Sequence, residues 1–345
     1  ARVAMSRFRS KRKNRKSRVQ SGQQRAPAPV ARKLLFEVME PRLLLSADPA
    51  VTSAAGAYTV NFADSDDVVG IHLVSTSTNG GIVVDLTYLD DNSVAKTLTL
   101  GDATTGITGL VVDGGAGEDR ITTDALSIPL TIHGGDGGDT LIGPDANTSW
   151  TISGDGAGSA TGISSFDGFE GITGRGGVDV FTVLTTGSIS GQIDGGNGDD
   201  QLIGPNAANA WTVSGVDAGT LNTGAVGGFA RFAAIEKITG GSGADEFRLL
   251  AQESISAEID GGSGTDTLIA FDADNAWIIN GAGAGSLNAT ATDARAFKGI
   301  ENLTGGAAND EFKVVGATAS LAGLLDGGLF DADAPTVNTL DYSGR

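Results

Sequence analysis

A glycine-rich hexapeptide, Gly-Gly-x-Gly-x-Asp or a close variant, recurs seven times in the last two thirds of the chain. The copies read GGAGED (114–119), GGDGGD (134–139), GRGGVD (174–179), GGNGDD (195–200), GGSGAD (240–245), GGSGTD (261–266) and GGAAND (305–310). Copies within a pair start about 20 residues apart, and successive pairs start 60 to 66 residues apart. A fixed period of this length is typical of repeat architectures, in which each unit buries its apolar face against its neighbours.

The apolar residues between the hexapeptides predict short strands. They form clusters rich in Ile, Val, Leu and Thr, bounded by Gly, Asp and Asn, and no stretch after residue 50 shows a helical period. Glycine permits left-handed backbone at tight corners, so each hexapeptide is expected to stack on its pair-mate. We therefore predict an all-β chain, a right-handed parallel β-helix or β-roll solenoid with about three coils per 60–66-residue repeat.

Three segments follow from the pattern. Residues 1–50 are predicted to be a disordered basic tail, residues 51–110 a β-rich N-terminal cap, and residues 111–345 the repeat array, continuing beyond 345. Residues 1–45 carry 13 of the 23 Lys and Arg and only 2 of the 42 Asp and Glu, whereas the remainder carries 10 basic and 40 acidic residues. Such an excess of carboxylates repels itself unless the charges are well spread or cations neutralise them.

Composition also narrows the functional classes. The chain has no cysteine, which excludes disulfides and thiolate chemistry, and no apolar run approaches the roughly 20 residues of a membrane-spanning helix. The basic tail is interpreted as a solvated segment rather than a nucleic-acid-binding one, because the only aromatic residue in its most basic part (1–33) is Phe8 and the rest of the chain is strongly acidic.

Two segments resemble known families. MEPRLLLSAD (39–48) resembles the LEPR-x-LL motif found near the N-terminus of very large bacterial repeat proteins, with Met39 in place of the usual Leu. That resemblance implies a role in export or sorting. The nonapeptides GGDGGDTLI, GGNGDDQLI and GGSGTDTLI resemble the repeats-in-toxin (RTX, hemolysin-type) calcium-binding family.

The RTX resemblance implies Ca²⁺ sites shared between stacked hexapeptides. Ca²⁺ takes six to eight oxygen ligands, which backbone carbonyls and the sixth-position Asp would supply, while the apolar eighth residue enters the core. The implied pairs are Asp119 with Asp139, Asp179 with Asp200, and Asp245 with Asp266. The implied ligand positions are Asp119, Asp139, Asp179, Asp200, Asp245, Asp266 and Asp310, with Gly114, Gly134, Gly195, Gly240 and Gly261.

This chain departs from the RTX pattern in ways that affect the sites. Its coils are 20 to 22 residues long and two of every three carry the hexapeptide, so isolated sites are expected instead of a continuous row of ions. Arg175 places a cation in GRGGVD, and GGAAND lacks the fourth-position glycine, with its partner expected near Gly327–Gly328. The alternative interpretation is that the hexapeptides are structural corners whose Asp side chains accept hydrogen bonds from backbone amides.

Other candidate residues favour structure over chemistry. Trp150, Trp211 and Trp277 recur with the repeat and are predicted to be core residues, although exposed aromatic rings could stack on sugars. His72 has no partner that suggests a catalytic triad, and His133 is predicted to be a turn residue.

The expected function is therefore non-enzymatic. The chain is interpreted as the calcium-binding repeat region of a large secreted or cell-surface bacterial protein, with a structural or adhesive role. The expected partners are calcium ions and, for adhesion, a cell-surface polysaccharide or the surface of a host or neighbouring cell, with no nucleic acid. The alternative is a non-catalytic calcium-binding solenoid attached to a secreted polysaccharide-active lyase, hydrolase or epimerase.

Overall fold

The computed structural model describes residues 49–62, 66–76, 81–89, 94–102, 104–224, 228–252, 255–289, 295–328 and 337–344. Residues 1–48 of the predicted tail (1–50), including the LEPR-x-LL-like motif (39–48), lie outside these residues, and Ala50 is the first residue of a strand. Every regular element among the described residues is a β-strand, which confirms the all-β prediction. These residues include no apolar helix of membrane-spanning length.

The strands that precede the repeats fall into two groups. The predicted cap region contains β1 (Ala50–Ala54), β2 (Ala57–Asn61), β3 (Val68–Thr76), β4 (Ile82–Leu89) and β5 (Ala95–Leu100). The first hexapeptide pair lies with β6 (Gly109–Gly117), β7 (Arg120–Thr123), β8 (Leu130–Gly137) and β9 (Thr140–Ile142).

Three repeats follow, each with seven strands. The first contains β10 (Ser149–Gly154), β11 (Ala157–Ala160), β12 (Ile163–Asp167), β13 (Gly171–Thr173), β14 (Val180–Val183), β15 (Gln192–Asp194) and β16 (Gln201–Ile203). The second contains β17 (Ala210–Gly215), β18 (Ala218–Asn222), β19 (Phe229–Ala233), β20 (Lys237–Gly241), β21 (Glu246–Leu249), β22 (Glu258–Gly262) and β23 (Thr267–Ile269). The third contains β24 (Asn275–Gly281), β25 (Ala284–Leu287), β26 (Ala296–Lys298), β27 (Asn302–Thr304), β28 (Asp310–Val315), β29 (Leu325–Asp326) and β30 (Thr339–Gly344).

The described strands form two long sheets. Sheet A has sixteen strands in the order β1-β2-β6-β8-β12-β11-β10-β14-β16-β20-β22-β26-β25-β24-β28-β30. Sheet B has fourteen in the order β29-β27-β23-β21-β17-β18-β19-β15-β13-β9-β7-β3-β4-β5. From β6 to β9 consecutive strands alternate between the sheets and pair in parallel, as β6 does with β8 and β7 with β9. Long mixed sheets built by alternation are consistent with a β-solenoid.

Each repeat begins with a three-stranded antiparallel meander that lies within one sheet. The meander β10-β11-β12 lies in sheet A, β17-β18-β19 in sheet B and β24-β25-β26 in sheet A again. Four single strands follow each meander and alternate between the sheets, so the chain makes five passes per repeat. Because five is odd, each repeat starts on the sheet opposite to the one where its predecessor started.

The core lies between the two sheets. The eighth-position residues Leu141, Leu202 and Leu268 are at most 1% exposed, which confirms their predicted place in the core. They stack in register on apolar residues of neighbouring strands, as Leu202 does on Phe181 and Ile238. The repeated apolar positions therefore form a continuous row in the core. Burial of each leucine side chain contributes about 1.5–3 kcal/mol.

A tryptophan anchors every meander. Trp150, Trp211 and Trp277 are each 1% exposed, which confirms that they are core residues. Trp211 stacks on Phe247 with ring centroids 5.8 Å apart and meets Phe232 edge-on at 6.1 Å. The other two tryptophans repeat this arrangement with Phe181 and Phe166, and with Phe312 and Phe297. The middle strand carries glycine beneath the edge-on ring, because a Cβ on Gly219 would lie 2.8 Å from the Phe232 ring.

Candidate metal centre

The two hexapeptides of a pair stack directly on each other. In the first pair Gly115 lies opposite Gly135 and Gly117 opposite Gly137, which confirms the predicted stacking. The second-position backbone is left-handed, with φ of 100° at Gly115 and 113° at Gly135. Strands β6 and β8 extend into these hexapeptides as far as their fourth residues, so the segments continue the parallel pairing as well as making the turn.

All seven sixth-position aspartates are buried, with at most 2% of their surface exposed: Asp119, Asp139, Asp179, Asp200, Asp245, Asp266 and Asp310. Within each complete pair, the backbone N–H of the first Asp donates to Oδ1 of the second. The distances are 2.8 Å from Asp119 to Asp139, 2.7 Å from Asp179 to Asp200 and 2.8 Å from Asp245 to Asp266. The structure thus brings together the three pairs predicted from the sequence.

A third acidic residue, which the sequence analysis missed, extends each of these pairs. The N–H of the second Asp donates to a glutamate carboxylate: Asp139 to Glu170 at 2.8 Å, Asp200 to Glu236 at 2.6 Å and Asp266 to Glu301 at 2.8 Å. We call these three-residue stacks acid ladders: Asp119-Asp139-Glu170, Asp179-Asp200-Glu236 and Asp245-Asp266-Glu301. A repeated signal was present, because each Glu ends a five-residue segment, FDGFE (166–170), FAAIE (232–236) or FKGIE (297–301).

A fourth stack has a different composition. Asp310 is 1% exposed despite the missing glycine in GGAAND, and its Oδ1 accepts hydrogen bonds from the N–H and side-chain amide of Asn275. Its own N–H donates to Asn338 Oδ1 at 2.9 Å. The hexapeptide stacks on the segment at Gly327–Gly328, where a Cβ on Gly328 would collide with the Gly306 carbonyl oxygen. The predicted irregular partner is therefore found, with an amide in the place of a second acid.

Successive acid ladders lie at opposite ends of the strands, and we call these two rows of strand ends the edges of the sheets. The first ladder occupies connections from sheet A to sheet B, the second occupies connections from B to A, and the third returns to A-to-B connections. Because the single strands of each sheet run parallel, the two kinds of connection leave the sheets at opposite edges. The odd number of passes per repeat thus separates neighbouring clusters of negative charge.

The second carboxylate oxygen of each aspartate is left without a partner. Oδ2 of all seven sixth-position aspartates is buried and accepts no hydrogen bond. It lies against the first glycine of its own hexapeptide: a Cβ on Gly114 would lie 2.5 Å from Asp119 Oδ2 and 2.6 Å from the carbonyl oxygen of Gly134. The same two types of oxygen converge beside Gly240, from Asp245 and Gly261. Glycine is required here because any side chain would fill the space these oxygens share.

Burial dominates the electrostatics of these carboxyl groups. It raises the pKa of Asp179 and of Asp266 from 3.8 to about 6, and repulsion from the neighbouring carboxylates Asp200 and Asp245 acts in the same direction. Burial is also the main reason why the pKa is raised for Asp119, Asp139, Asp200, Asp245 and Asp310. No ion pair between described residues joins a Lys or Arg to these aspartates. A buried charge without a counter-charge is costly, so these groups favour a proton or a bound cation.

The donor set fits a hard cation in chemical type. Each hexapeptide offers a carboxylate oxygen without a partner and glycine carbonyl oxygens, which are the ligands that Ca²⁺ prefers. Gly114, Gly134, Gly195, Gly240 and Gly261 all lie directly beside an unpartnered Asp Oδ2. Among the described residues, no group of three His, Cys, Asp or Glu side chains is placed to hold a metal ion. The carboxylates are therefore spaced along a stack, with two converging oxygens beside each of these glycines.

Arg175 occupies a position where the other six hexapeptides have glycine. Its φ is 86°, in the left-handed region, and its carbonyl oxygen accepts the Asn197 N–H at 2.9 Å, which holds the backbone in that conformation. A residue with a Cβ loses about 1–2 kcal/mol there. We expect Arg175→Gly to raise the free energy of unfolding by about 1 kcal/mol in a calcium-free urea titration. Arg175→Ala should give no comparable gain, and an equal gain would show that the side-chain charge, not the backbone, is responsible.

The two histidines are placed differently. His133 was predicted to be a turn residue, but it lies in β8, because that strand continues into the hexapeptide. Its Nδ1 lies 2.8 Å from Asp167 Oδ1, with both side chains at least 36% exposed. His72 lies 3.6 Å from Asp124 and contacts Thr87. Neither histidine belongs to an acid ladder.

A scan against protein-family models finds no match to this chain, and a search of the curated proteins finds none either. The interpretation of the acid ladders therefore depends on the repeated motifs and on their geometry.

Proposed function

We propose that this chain is the calcium-binding repeat region of a large secreted or cell-surface bacterial protein, with a structural or adhesive role. The observation that supports this most strongly is the set of seven buried aspartates, each with one carboxylate oxygen that has no partner. The acidic residues belong to a repeated arrangement, whereas a catalytic centre requires a unique departure from the repeat. A non-enzymatic function fits that pattern best.

Binding and folding are coupled in this proposal. Without calcium, the stacked carboxylates repel each other and each loses solvation when the strands pair. Bound Ca²⁺ supplies positive charge between neighbouring strands. Asp119 Oδ2 and the Gly134 carbonyl oxygen would hold it in the first pair, and Asp245 Oδ2 with the Gly261 carbonyl oxygen in the third. Millimolar extracellular calcium suits sites of the weak extracellular class.

The finer architecture belongs to the same proposal. The array is a right-handed solenoid, in which five passes between two sheets amount to about two and a half coils per repeat, fewer than the three expected from the sequence, and residues 51–110 cap its first coil. Acid ladders on alternating edges stiffen both sides of such an array when calcium is bound. A stiff array of this kind serves as a spacer or as a surface that contacts a polysaccharide or a neighbouring cell.

Far-UV circular dichroism and thermal melting test the proposal directly. The protein is measured in EDTA, in about 10 mM Ca²⁺ and in about 10 mM Mg²⁺. We expect a calcium-specific rise in β signal and in melting temperature, because a site at ten times its Kd contributes about 1.4 kcal/mol. Identical curves in EDTA and in calcium would refute calcium binding and leave the hexapeptides as structural corners.

The chain offers a matched pair of variants for this experiment. Asp199 and Asp200 are adjacent in one hexapeptide, but Asp199 is exposed whereas Asp200 is fully buried. We expect Asp200→Asn to reduce the calcium-induced rise in melting temperature and Asp199→Asn to leave it almost unchanged. Both variants remove one negative charge, so a difference between them identifies the buried position.

A further inference from the structure

A five-residue segment lies next to the second hexapeptide of each acid ladder, and it consists of the last two residues of a strand and the turn after them. It reads Phe-x-(Gly or Ala)-apolar-Glu and spans 166–170, 232–236 and 297–301. We call these segments the Glu turns. The Phe and the apolar fourth residue are buried in all three copies, for example Phe232 at 2% and Ile235 at 0% exposure. These two buried side chains, on either side of the small third residue, hold the backbone of the segment in place.

The small third residue directs its carbonyl oxygen at the second hexapeptide. Gly168, Ala234 and Gly299 have φ of 72°, 49° and 61°, all in the left-handed region. A Cβ on Gly261 would collide with the Gly299 carbonyl oxygen and lie 2.7 Å from Asp266 Oδ2. The same convergence occurs beside Gly134, from Gly168 and Asp139, and beside Gly195, from Ala234 and Asp200.

As in the hexapeptide pairs, each of these positions has a buried Asp oxygen that accepts no hydrogen bond. Oδ2 of Asp139, Asp200 and Asp266 is buried without a partner, and each side chain is at most 1% exposed. The Glu carboxylate of the turn lies one strand further along, accepting the N–H of that Asp. An inward carbonyl oxygen and an Asp Oδ2 therefore converge at each position, and the Glu carboxylate lies beside the backbone N–H of the same Asp. Among the described residues no Lys or Arg forms an ion pair with these carboxylates.

We propose that each acid ladder contains a second calcium site, between the second hexapeptide and the Glu turn. Its ligands are Oδ2 of the second Asp, the carbonyl oxygen of the third residue of the turn, and the Glu carboxylate. In the second ladder these come from Asp200, Ala234 and Glu236. This inference rests on the proposed calcium-binding function and doubles the number of sites in the three ladders.

The test counts bound ions in the full chain. Equilibrium dialysis against CaCl₂, with metal measured by atomic emission, compares the wild type with the triple variant Glu170→Gln, Glu236→Gln and Glu301→Gln. Gln keeps an oxygen that accepts the Asp N–H but removes the charge, so the acid ladders can still form. We expect the triple variant to bind three fewer Ca²⁺ per chain, while the sites between hexapeptides remain occupied.

A control with the same change in charge separates ligation from general electrostatics. Glu118→Gln, Glu246→Gln and Glu311→Gln alter three exposed glutamates and should leave the number of bound ions unchanged. If the wild type binds calcium and the Glu-turn variant binds the same number of ions, the second sites do not exist. An equal loss in both triple variants would also overturn them. If the wild type binds no calcium, the proposed function itself fails.

Discussion

In calcium-free buffer, the free energy of unfolding is expected to increase as the pH falls from 8 to 5. Burial raises the pKa of Asp179 and of Asp266 to about 6, so the folded protein takes up protons at a pH where the unfolded chain, with a pKa of 3.8, does not. Linkage then adds stability as the pH falls through 6, up to a limit below 3.8. By pH 5 the gain is about 1.4 kcal/mol for each of these two groups.

The other buried carboxyl groups act in the same direction. The pKa of Asp245 and of Glu236 is also raised, mainly by burial. Asp102 behaves in the opposite way, because hydrogen bonds from Thr104 and Thr105 lower its pKa, but that contribution is lost only below 3.8 and outside the window tested. The stability of most proteins without buried acids changes little or decreases in this interval, so the sign is informative.

Urea titrations at pH 8, 6.5 and 5 in EDTA measure this effect. The double variant Asp179→Asn and Asp266→Asn should be more stable than the wild type at pH 8 and should flatten the pH dependence. A calcium concentration that saturates the sites should also reduce the dependence, since the cation replaces the proton. A wild type that loses stability on acidification to pH 5 would contradict the electrostatic description of the acid ladders.

Replacement of Trp211 by alanine is expected to lower the free energy of unfolding by about 3–5 kcal/mol. Trp211 is 1% exposed, stacks on Phe247 at 5.8 Å and meets Phe232 edge-on at 6.1 Å. Its removal leaves a cavity at the place where the meander joins the parallel strands. Because a solenoid repeat is stabilised by its nearest neighbours, the loss extends to the strands that carry both phenylalanines.

A second substitution at the same position separates volume from polarity. The Nε1 group of Trp211 is buried and has no hydrogen-bond partner, which is unfavourable. Trp211→Phe keeps an aromatic ring in the stack and removes that N–H, so its loss should be much smaller than that of Trp211→Ala. Urea denaturation followed by circular dichroism gives both values. A loss below about 1 kcal/mol for Trp211→Ala would show that the ring is not an anchor of the core.

Much of the fold could be predicted because the relevant information is local. Left-handed glycines, short β-branched clusters and the apolar eighth residue act within about ten consecutive residues, and their period reveals stacking. Leu202 and Trp211 are therefore found in the core where the pattern predicted them. The pairing of Asp179 with Asp200 also followed from the sequence, because the two hexapeptides are separated by a single coil. The turn expected at His133 was wrong because parallel pairing extends β8 beyond the local turn signal.

The third member of each acid ladder lay beyond such reasoning. Asp200 and Glu236 are hydrogen-bonded neighbours although 36 residues separate them, since a whole antiparallel meander is inserted between their strands. Residue types around a turn predict the backbone conformation of that turn. They do not predict which later turn of the chain will pack against it. The FAAIE segment was visible as a repeat, but its place above a hexapeptide depends on how the meander fits into the sheet.

Strand content, buried apolar rows and the stacking of hexapeptide pairs were predictable from the amino-acid sequence, because they depend on short-range backbone preferences and on periodicity. Two features became visible only in the folded chain: successive acid ladders lie on opposite edges, and a glutamate ends each of them. The first feature arises from the odd number of passes in a repeat and the second from the inserted meander, and both are properties of sheet topology. That topology separates clusters of like charge that the linear sequence presents as one acidic array.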